Sequence, residues 1–273
     1  MNAKQAVDYA KKLLETVSSE AENEAQILVS HVLDISKGAL NYTDKQIEKN
    51  VLDPIINRRL KGEPLQYILG KWSFYKGEFL VGEGVLIPRQ DTETLVETAV
   101  EFLKEKQNPK VIDLCSGSGC VAISIATEYH GAEVIACEKY ENAYSFLKKN
   151  ITLNKTQNVK PLLLDITEET LGKADLIVSN PPYITKEDME TLSVEVKREP
   201  KTALYGGEDG LYFYRVIAEK WTPCLNKGGM LALEIGIGQE ESVKELLRKA
   251  GLKNIGTKKD LCGIQRVVFG TAD

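Results

Sequence analysis

From about residue 109 the chain alternates short apolar runs with amphipathic stretches, and this alternation restricts its fold more than any other feature. Runs at 111–114, 133–137, 159–164, 176–179 and 230–235 read as buried strands. Helical patterns at 121–127, 142–150, 211–225 and 240–250 are interspersed with them, and two further strands are expected at 255–258 and 265–269. Strands joined by helical crossovers pair in parallel, and a parallel sheet needs cover on both faces. The expected fold is therefore α/β, a Rossmann-like sheet with helices on both faces. There are no internal repeats and no low-complexity tracts.

The first 68 residues read as helices only. Ala3, Val7, Ala10, Leu14 and Val17 share one helical face. Ser19 with Glu22, and Thr43 with Gln46, have capping-box spacing and are expected to start the next two helices. Residues 1–68 are thus read as a small N-terminal helical bundle, either a stabilising cap or a partner-recognition module. Phe74, Tyr75, Phe79, Val81 and Val85, broken by Gly77, Gly82 and Gly84, suggest a β-hairpin linker over 69–87. The α/β domain then occupies 88–273, led by a helix carrying Leu95, Val96, Ala99, Val100 and Leu103.

Composition excludes several classes. Apolar residues make up 42% and charged residues 27%, enough for a packed core and unlike a disordered chain. A net charge of −5 disfavours nucleic acid as a partner, because phosphate-gripping proteins are usually basic. Five cysteines without a CxxC pair read as reduced, small, mostly buried thiols, which suits a cytoplasmic protein. The two histidines, His31 and His130, lie in helical or helix-ending segments, which disfavours a Cys–His nucleophile or a metal site. The N-terminus has no signal-peptide pattern, and no run of about 18 apolar residues is present to span a membrane.

Two places carry chemistry. The strand at 111–114 runs into Cys115-Ser116-Gly117-Ser118-Gly119-Cys120, a small-residue turn that lets a ligand approach the backbone at a helix start. Only G-x-G is present, not G-x-G-x-x-G, and Asp113 lies two residues before Cys115. An acid there repels a pyrophosphate, which counts against a nicotinamide dehydrogenase. It suits the ammonium and sulfonium of S-adenosylmethionine. Glu138, ending the next strand, is spaced to reach ribose hydroxyls, and Asp165, closing the third, to accept from an adenine amino group. Each also has a plainer reading, Asp113 as a turn cap and the other two as solvated strand ends.

The second place is Asn180-Pro181-Pro182-Tyr183, after the strand at 175–179. Two prolines fix φ, carry no N–H and disfavour a helix, so the carbonyls are left as acceptors beside the Asn180 oxygen and an aromatic ring. Such a set suits the N–H bonds of a planar amide or amino group. An ordinary strand-ending turn is the bland alternative.

Together with the glycine turn, this loop resembles an amino-methylating S-adenosylmethionine transferase. Further stretches narrow the resemblance: Glu63-Pro64-Leu65-Gln66-Tyr67-Ile68-Leu69-Gly70, Ile87-Pro88-Arg89-Gln90-Asp91-Thr92-Glu93, and Glu199-Pro200-Lys201-Thr202-Ala203-Leu204 with Gly206-Gly207. So do Leu233-Glu234-Ile235-Gly236 with Gln239, and Asp260-Leu261-Cys262-Gly263 with Arg266. These resemble the release-factor glutamine N5-methyltransferase family. The resemblance implies a seven-stranded methyltransferase sheet behind the bundle and hairpin. It implies methyl transfer from S-adenosyl-L-methionine, with S-adenosyl-L-homocysteine as product and no metal, to the glutamine of the Gly-Gly-Gln loop of peptide-chain release factors. It also implies that Cys115, Ser116, Gly117, Ser118 and Gly119 line the methionine portion, Glu138 the ribose, and Asp165 and Ile166 the adenine. Asn180, Pro181, Pro182 and Tyr183 would hold the glutamine, the Asn180 oxygen and Pro181 carbonyl taking one N–H each while Tyr183 stacks on the amide. A monomer without membrane or nucleic-acid partners is expected.

Three positions depart from the family pattern. Cys115 stands where Gly is usual, and fits if its φ is negative. Gln90 replaces a Pro, and Glu138 an Asp. Arg89, Asp91 and Glu93 read as helix capping and a local ion pair in preference to substrate contact, and Glu199-Pro200 as the end of a lid or a plain turn. The competing functional readings are an adenine-N6 methyltransferase on DNA or RNA, which shares Asn-Pro-Pro-Tyr but needs a basic surface, and a non-catalytic binding protein, which the intact Asn180 disfavours.

Overall fold

The computed structural model describes residues 1–273 as two compact units, Met1–Lys71 with Ser193–Arg198, and Trp72–Leu192 with Glu199–Asp273. The first contains α1 (Ala3–Leu14), α2 (Ala21–Leu33), α3 (Lys49–Leu60) and α4 (Leu65–Leu69). Buried Ala3, Ala6 and Ala10 give α1 a small-residue face, and Leu14, Leu28, Leu52 and Ile56 fill the core. Val17, placed on an apolar face by spacing, is exposed, because α1 stops at Leu14.

Neither capping box expected at Ser19 or Thr43 forms. The helix α2 starts after Glu20 with no side-chain cap, while Ser18 Oγ accepts from Glu20 N at 3.1 Å and donates to Glu24 at 2.8 Å. The 43–47 stretch is drawn into extended pairing with the N-terminus instead. Met1 and Ile47 exchange N–H···O bonds of 2.8 Å, and Asn2 bridges Gln46. The capping box that does form is Asn2 with Gln5, at the start of α1. Ser193–Arg198 joins this unit from far along the chain. Its Glu195 accepts from Arg59 at 3.0 Å, and the same buried guanidinium grips Glu24 at 2.7 and 3.0 Å.

The second unit opens with the hairpin β1 (Lys71–Phe74) and β2 (Gly77–Leu80), followed by α5 (Glu93–Leu103). Then come β3 (Lys110–Leu114), α6 (Cys120–Glu128), β4 (Glu133–Glu138), α7 (Glu141–Leu153), β5 (Val159–Leu163) and β6 (Ala174–Ser179). Short helices α8 (Lys186–Thr191), α9 (Lys201–Leu204) and α10 (Tyr212–Val216) precede β7 (Leu225–Glu234), α11 (Glu240–Lys249), β8 (Lys253–Lys259) and β9 (Gln265–Thr271). The seven-stranded sheet has the order β5-β4-β3-β6-β7-β9-β8. Six strands run in one direction, and β9 alone runs antiparallel, to both β7 and β8.

Period-two alternation sends successive strand residues to opposite cores. Val111, Val134, Val178 and Ala232 enter one core with α5 and α6, while Ile112, Leu114, Ile177 and Leu231 enter the other with Tyr214 and Trp221. The single helix expected at 211–225 is instead α10, a widened turn at Ile217–Trp221 and a short turn at Thr222–Cys224. Pro223 supplies no N–H for a continuing helix, and buried Trp221 donates from Nε1 to Ile166 O at 3.0 Å. Strand order departs in opposite directions from β3, to β4 on one side and β6 on the other, so the crevice at their carboxyl ends is where a ligand belongs. No helix is long and apolar enough to cross a membrane.

Candidate active site

A cavity of about 1120 Å³, including its open mouth, lies at that crevice. Asp113, Cys115, Ser116, Gly117, Ser118, Glu138, Asp165, Ile166, Asn180 and Pro182 line it. Gly119, Pro181 and Tyr183, expected in the same set, do not.

The turn after β3 is built by hydrogen bonds on its own backbone. Ser116 N donates to Cys137 O at 2.9 Å and Gly119 N to Ser116 O at 2.7 Å, while Ser179 Oγ ties the end of β6 to Leu114 O at 2.7 Å. The two glycines do different work. Gly117, at φ 55°, has open space where a Cβ would stand and lines the cavity. A Cβ on Gly119, at φ 83°, would collide with Leu147, so this glycine serves helix packing. Cys115 corrects an expectation: its φ is +59°, not negative. A glycine costs nothing in that left-handed region, whereas a side chain costs on the order of 1–2 kcal/mol.

The carboxylates differ in their state. Asp113 is 1% exposed and accepts from Ala122 N at 3.2 Å; burial pushes its pKa up to about 7, against the pull of Ser116 and Ala122. An apolar site with so few donors is a poor place for a lone anion and a good one for an anion facing a cation. Burial also raises Glu138, though three backbone N–H groups oppose it: Gly117 at 2.8 Å, Lys139 at 2.9 Å and Tyr140 at 2.8 Å. Its Oε2 takes only the Gly117 bond and keeps acceptor capacity towards the cavity. Burial favours neutral Asp165, but Lys139 Nζ at 2.6 Å and the Thr167 hydrogen bonds outweigh it and hold the pKa below the ordinary value.

Beyond β6, Asn180 donates from Nδ2 to Thr92 Oγ1 at 3.1 Å. None of the loop's hydrogen bonds uses Asn180 Oδ1 or the Pro181 carbonyl. The Tyr183 ring packs with the Tyr214–Trp221 core and not into the cavity, so no stacking on a ligand is assigned to it. Its backbone is clamped. Gln239 Nε2 donates to Tyr183 O at 3.0 Å and Gly210 O at 3.3 Å, while Gln239 Oε1 accepts from Gly236 N at 2.9 Å and lies 3.2 Å from the Tyr214 hydroxyl. A Cβ on Gly206 would stand 2.6 Å from Tyr183 Cα, which explains the glycine there.

The charge cluster before α5 does not pair within itself. Arg89 bonds buried Glu199, which also accepts from Ile87 N at 3.0 Å; Asp91 meets Arg266 at 3.1 Å; and Glu93 accepts from Tyr75 N at 2.9 Å. Three residues escaped the sequence reading as parts of the site. Thr92 and Phe213 line the cavity, and Glu234 is buried at the end of β7. Thr92 and Glu234 lie within two of the stretches that carry the family resemblance, a signal that could have found them; Phe213 falls in a stretch that reads as helix, and nothing in its spacing marks it. No group of three or more His, Cys, Asp or Glu is gathered to hold a metal ion.

A parallel sheet reversing its strand order at a small-residue turn, with buried acids and an Asn-Pro-Pro-Tyr loop at one crevice, defines an S-adenosylmethionine-dependent methyltransferase. The family described as methyltransferase small domain matches residues 90–205, and the PrmC N-terminal domain matches residues 5–70. Over 267 residues the chain is 39% identical to the release factor glutamine methyltransferase of Thermodesulfovibrio yellowstonii, covering 94% of this chain and 96% of that one. It is 38% identical to the enzyme of the same name from Clostridium acetobutylicum, covering 98% of each. The chain belongs to the release factor glutamine methyltransferase family. Among solved structures, the hMettl16 catalytic domain in complex with the MAT2A 3'UTR hairpin 1 has a TM-score of 0.55 at 14% identity, over 80% of this chain and 78% of that one, and shares the fold alone.

Proposed function

We propose that this protein transfers a methyl group from S-adenosylmethionine to the side-chain amide nitrogen (N5) of the glutamine in the Gly-Gly-Gln loop of peptide-chain release factors. The observation that carries the reading is the unused acceptor Asn180 Oδ1 on a stiff loop whose Asn180 and Pro182 line the cavity; the neighbouring Pro181 carbonyl, though Pro181 is not itself a lining residue, is also unused. Membership of the family supports the same substrate.

The donor, when bound, supplies an electrophilic methyl carbon on a sulfonium. The cavity suits it: Asp113 offers a buried charge to the cationic amino-acid end, Gly117 and Ser118 leave room beside the backbone, Glu138 keeps a lone pair for ribose, and Asp165 with Ile166 borders an apolar slot for adenine. The amide nitrogen of glutamine is a weak nucleophile because its lone pair is delocalised. Asn180 Oδ1 and Pro181 O each accept one N–H, which turns the nitrogen towards the electrophile and stabilises the positive charge that grows on it. No base is required, since the methylated nitrogen is acidic and loses its proton to water. The Tyr183 phenol is pushed up to about 12 by burial and stays protonated.

The three thiols at the cavity do not compete for the methyl group. Burial raises Cys115 well above the ordinary thiol value and lifts Cys120 and Cys137 to about 12, so all three stay protonated and weakly nucleophilic. Residues 1–68 are assigned to recognition of the release factor, a role supported by the match to a family-specific N-terminal domain. The chain acts on protein and not on nucleic acid, a choice supported by its net charge of −5.

The test is mass spectrometry of a release factor incubated with the protein and S-adenosylmethionine. Methylation should fall on the Gly-Gly-Gln glutamine. Asn180→Ala should lower kcat by roughly a hundredfold or more while cofactor binding persists. Undiminished turnover in that variant would refute the role.

A further inference from the structure

We propose that Asn150 is a positioning residue for the cofactor: its buried amide joins the β1–β2 hairpin to the small-residue turn after β3, so that affinity for S-adenosylmethionine depends on the hairpin. The inference rests on the cofactor's place in the cavity and not on which substrate receives the methyl group. It makes the hairpin a part of the binding site and not only a linker.

Asn150, on α7, is fully buried, and its amide is matched group for group. Leu80 N, on β2, donates to Asn150 Oδ1 at 2.7 Å. Asn150 Nδ2 donates to Leu80 O at 3.1 Å and to Ser118 O at 2.9 Å. Two N–H bonds meet two carbonyls and one carbonyl meets one N–H, so the amide fits in a single orientation. Reversed, it would set its oxygen against both carbonyls and its NH2 against the Leu80 N–H.

The bond to Ser118 reaches the cofactor turn. Ser118 is buried, lines the cavity and lies just before α6. Its carbonyl precedes the helical ladder, which begins with Ile123 N on Gly119 O at 2.9 Å, and Ala122 N goes to Asp113 Oδ2 at 3.2 Å. Asn150 supplies the donor that a buried carbonyl needs, and so fixes the peptide between Ser118 and Gly119. Leu147 on α7 backs the same turn, since a Cβ on Gly119 would stand 2.4 Å from its Cδ1.

The rest of the amide holds the hairpin. Asn142, Phe146 and Asn150 on α7, with Asn154 at its C-cap, are four residues apart and share one face. The segment 77–84 runs back along that face. Asn154 Nδ2 donates to Glu78 O at 2.8 Å, a Cβ on Gly82 would stand 3.0 Å from the Phe146 ring, and one on Gly84 would stand 2.8 Å from Asn142 Cβ. The chain then continues through residues 84–89 as one wall of the cavity. Hairpin, wall and cofactor turn are thus fixed to one helix, and Asn150 is the residue that bonds both the hairpin and the turn. Coupling of this kind is reciprocal: an ordered hairpin favours the ligand-binding shape of the turn, and a ligand on the turn tightens the hairpin.

Two measurements on the full chain test this, with S-adenosylhomocysteine as ligand so that no turnover intervenes. In the first, calorimetry gives its dissociation constant for wild type and Asn150→Ala, and thermal unfolding reports their stability. The constant should rise by about tenfold or more in the variant, and in turnover on a release factor KM for S-adenosylmethionine should rise with it while kcat at saturation falls by less than about threefold. A purely structural asparagine would lower the melting temperature and leave the constant of the folded variant unchanged, and that result overturns the proposal. In the second, NMR follows hydrogen exchange of the Leu80 amide in the wild type with and without ligand. Saturating ligand should slow it by about fivefold or more beyond any change in the amides of β8, at the far edge of the sheet. A slowing no greater than that of β8 overturns the proposal, even where Asn150→Ala fails to fold. A slowed Leu80 amide in a protein that leaves release factors unmethylated overturns the substrate reading alone, whereas a wild type that binds no S-adenosylhomocysteine overturns the cofactor's placement and this proposal together.

Discussion

Asp113 sets stability against binding, and Asp113→Asn separates the two. The carboxyl titrates at about 7 in the fold against an ordinary value of 3.8, chiefly through burial. At about 1.36 kcal/mol per pH unit, ionising it in place costs roughly 4 kcal/mol, and allowing for relaxation of the pocket about half of that should be recoverable. A raised folded pKa means that the folded chain holds the proton more tightly than the unfolded one. The protein is therefore free of this cost below pH 3.8, loses stability as pH rises from there to about 7, and pays the whole of it above. Asparagine keeps the shape and the acceptor for Ala122 N but has nothing to ionise.

Thermal unfolding of the ligand-free variant and wild type should coincide near pH 4. They should separate as pH rises, with the variant melting about 5 °C higher at pH 8, since roughly 2 kcal/mol shifts a domain of this size by that much. The same variant should bind S-adenosylmethionine at least about tenfold more weakly, because the cation loses its counter-charge. A melting difference independent of pH would refute the assignment of the cost to ionisation. Unchanged affinity would refute the assignment of the charge to the cofactor.

Two further outcomes follow from the same site. Cys115→Gly relieves a side chain at φ +59°; set against glycine's greater chain entropy, it should raise the unfolding free energy by up to about 1 kcal/mol in denaturant titration, and a loss of that size would show that the thiol's packing outweighs the backbone. Gln239→Leu removes four contacts that clamp the Tyr183 carbonyl and its surroundings. It should destabilise by about 2–4 kcal/mol and lower kcat more than cofactor affinity, which parallel calorimetry and turnover assays would check; equal losses in both would mean that the clamp does not act through the Asn-Pro-Pro-Tyr loop.

Much of this was legible in the chain because the signals are local. The alternation of apolar runs with helices specified a sheet covered on both faces, and the strands at 111–114 and 176–179 appear as β3 and β6. Small residues after β3 and two prolines after β6 marked the ends at which ligands sit, since backbone geometry is written in glycine and proline. Helix starts were less legible: Ser19 and Thr43 have the capping spacing, yet pairing of 47 with the N-terminus claimed the second region and Ser18 took over the first. Capping preferences amount to about 1 kcal/mol, which tertiary contacts override.

What the sequence by itself determined is the sheet, the crevice and the residue types brought to it. Only the tertiary structure decided the state of those residues. It placed Asp113 and Glu234 beyond the reach of water, held Cys115 at a positive φ, turned the Tyr183 ring into the core, and set Thr92 against Asn180. Strand and turn propensities act within a few residues. Burial and hydrogen-bond polarity belong to groups from β3, β7, the start of α5 and the loop after β6, which meet only when the chain has packed.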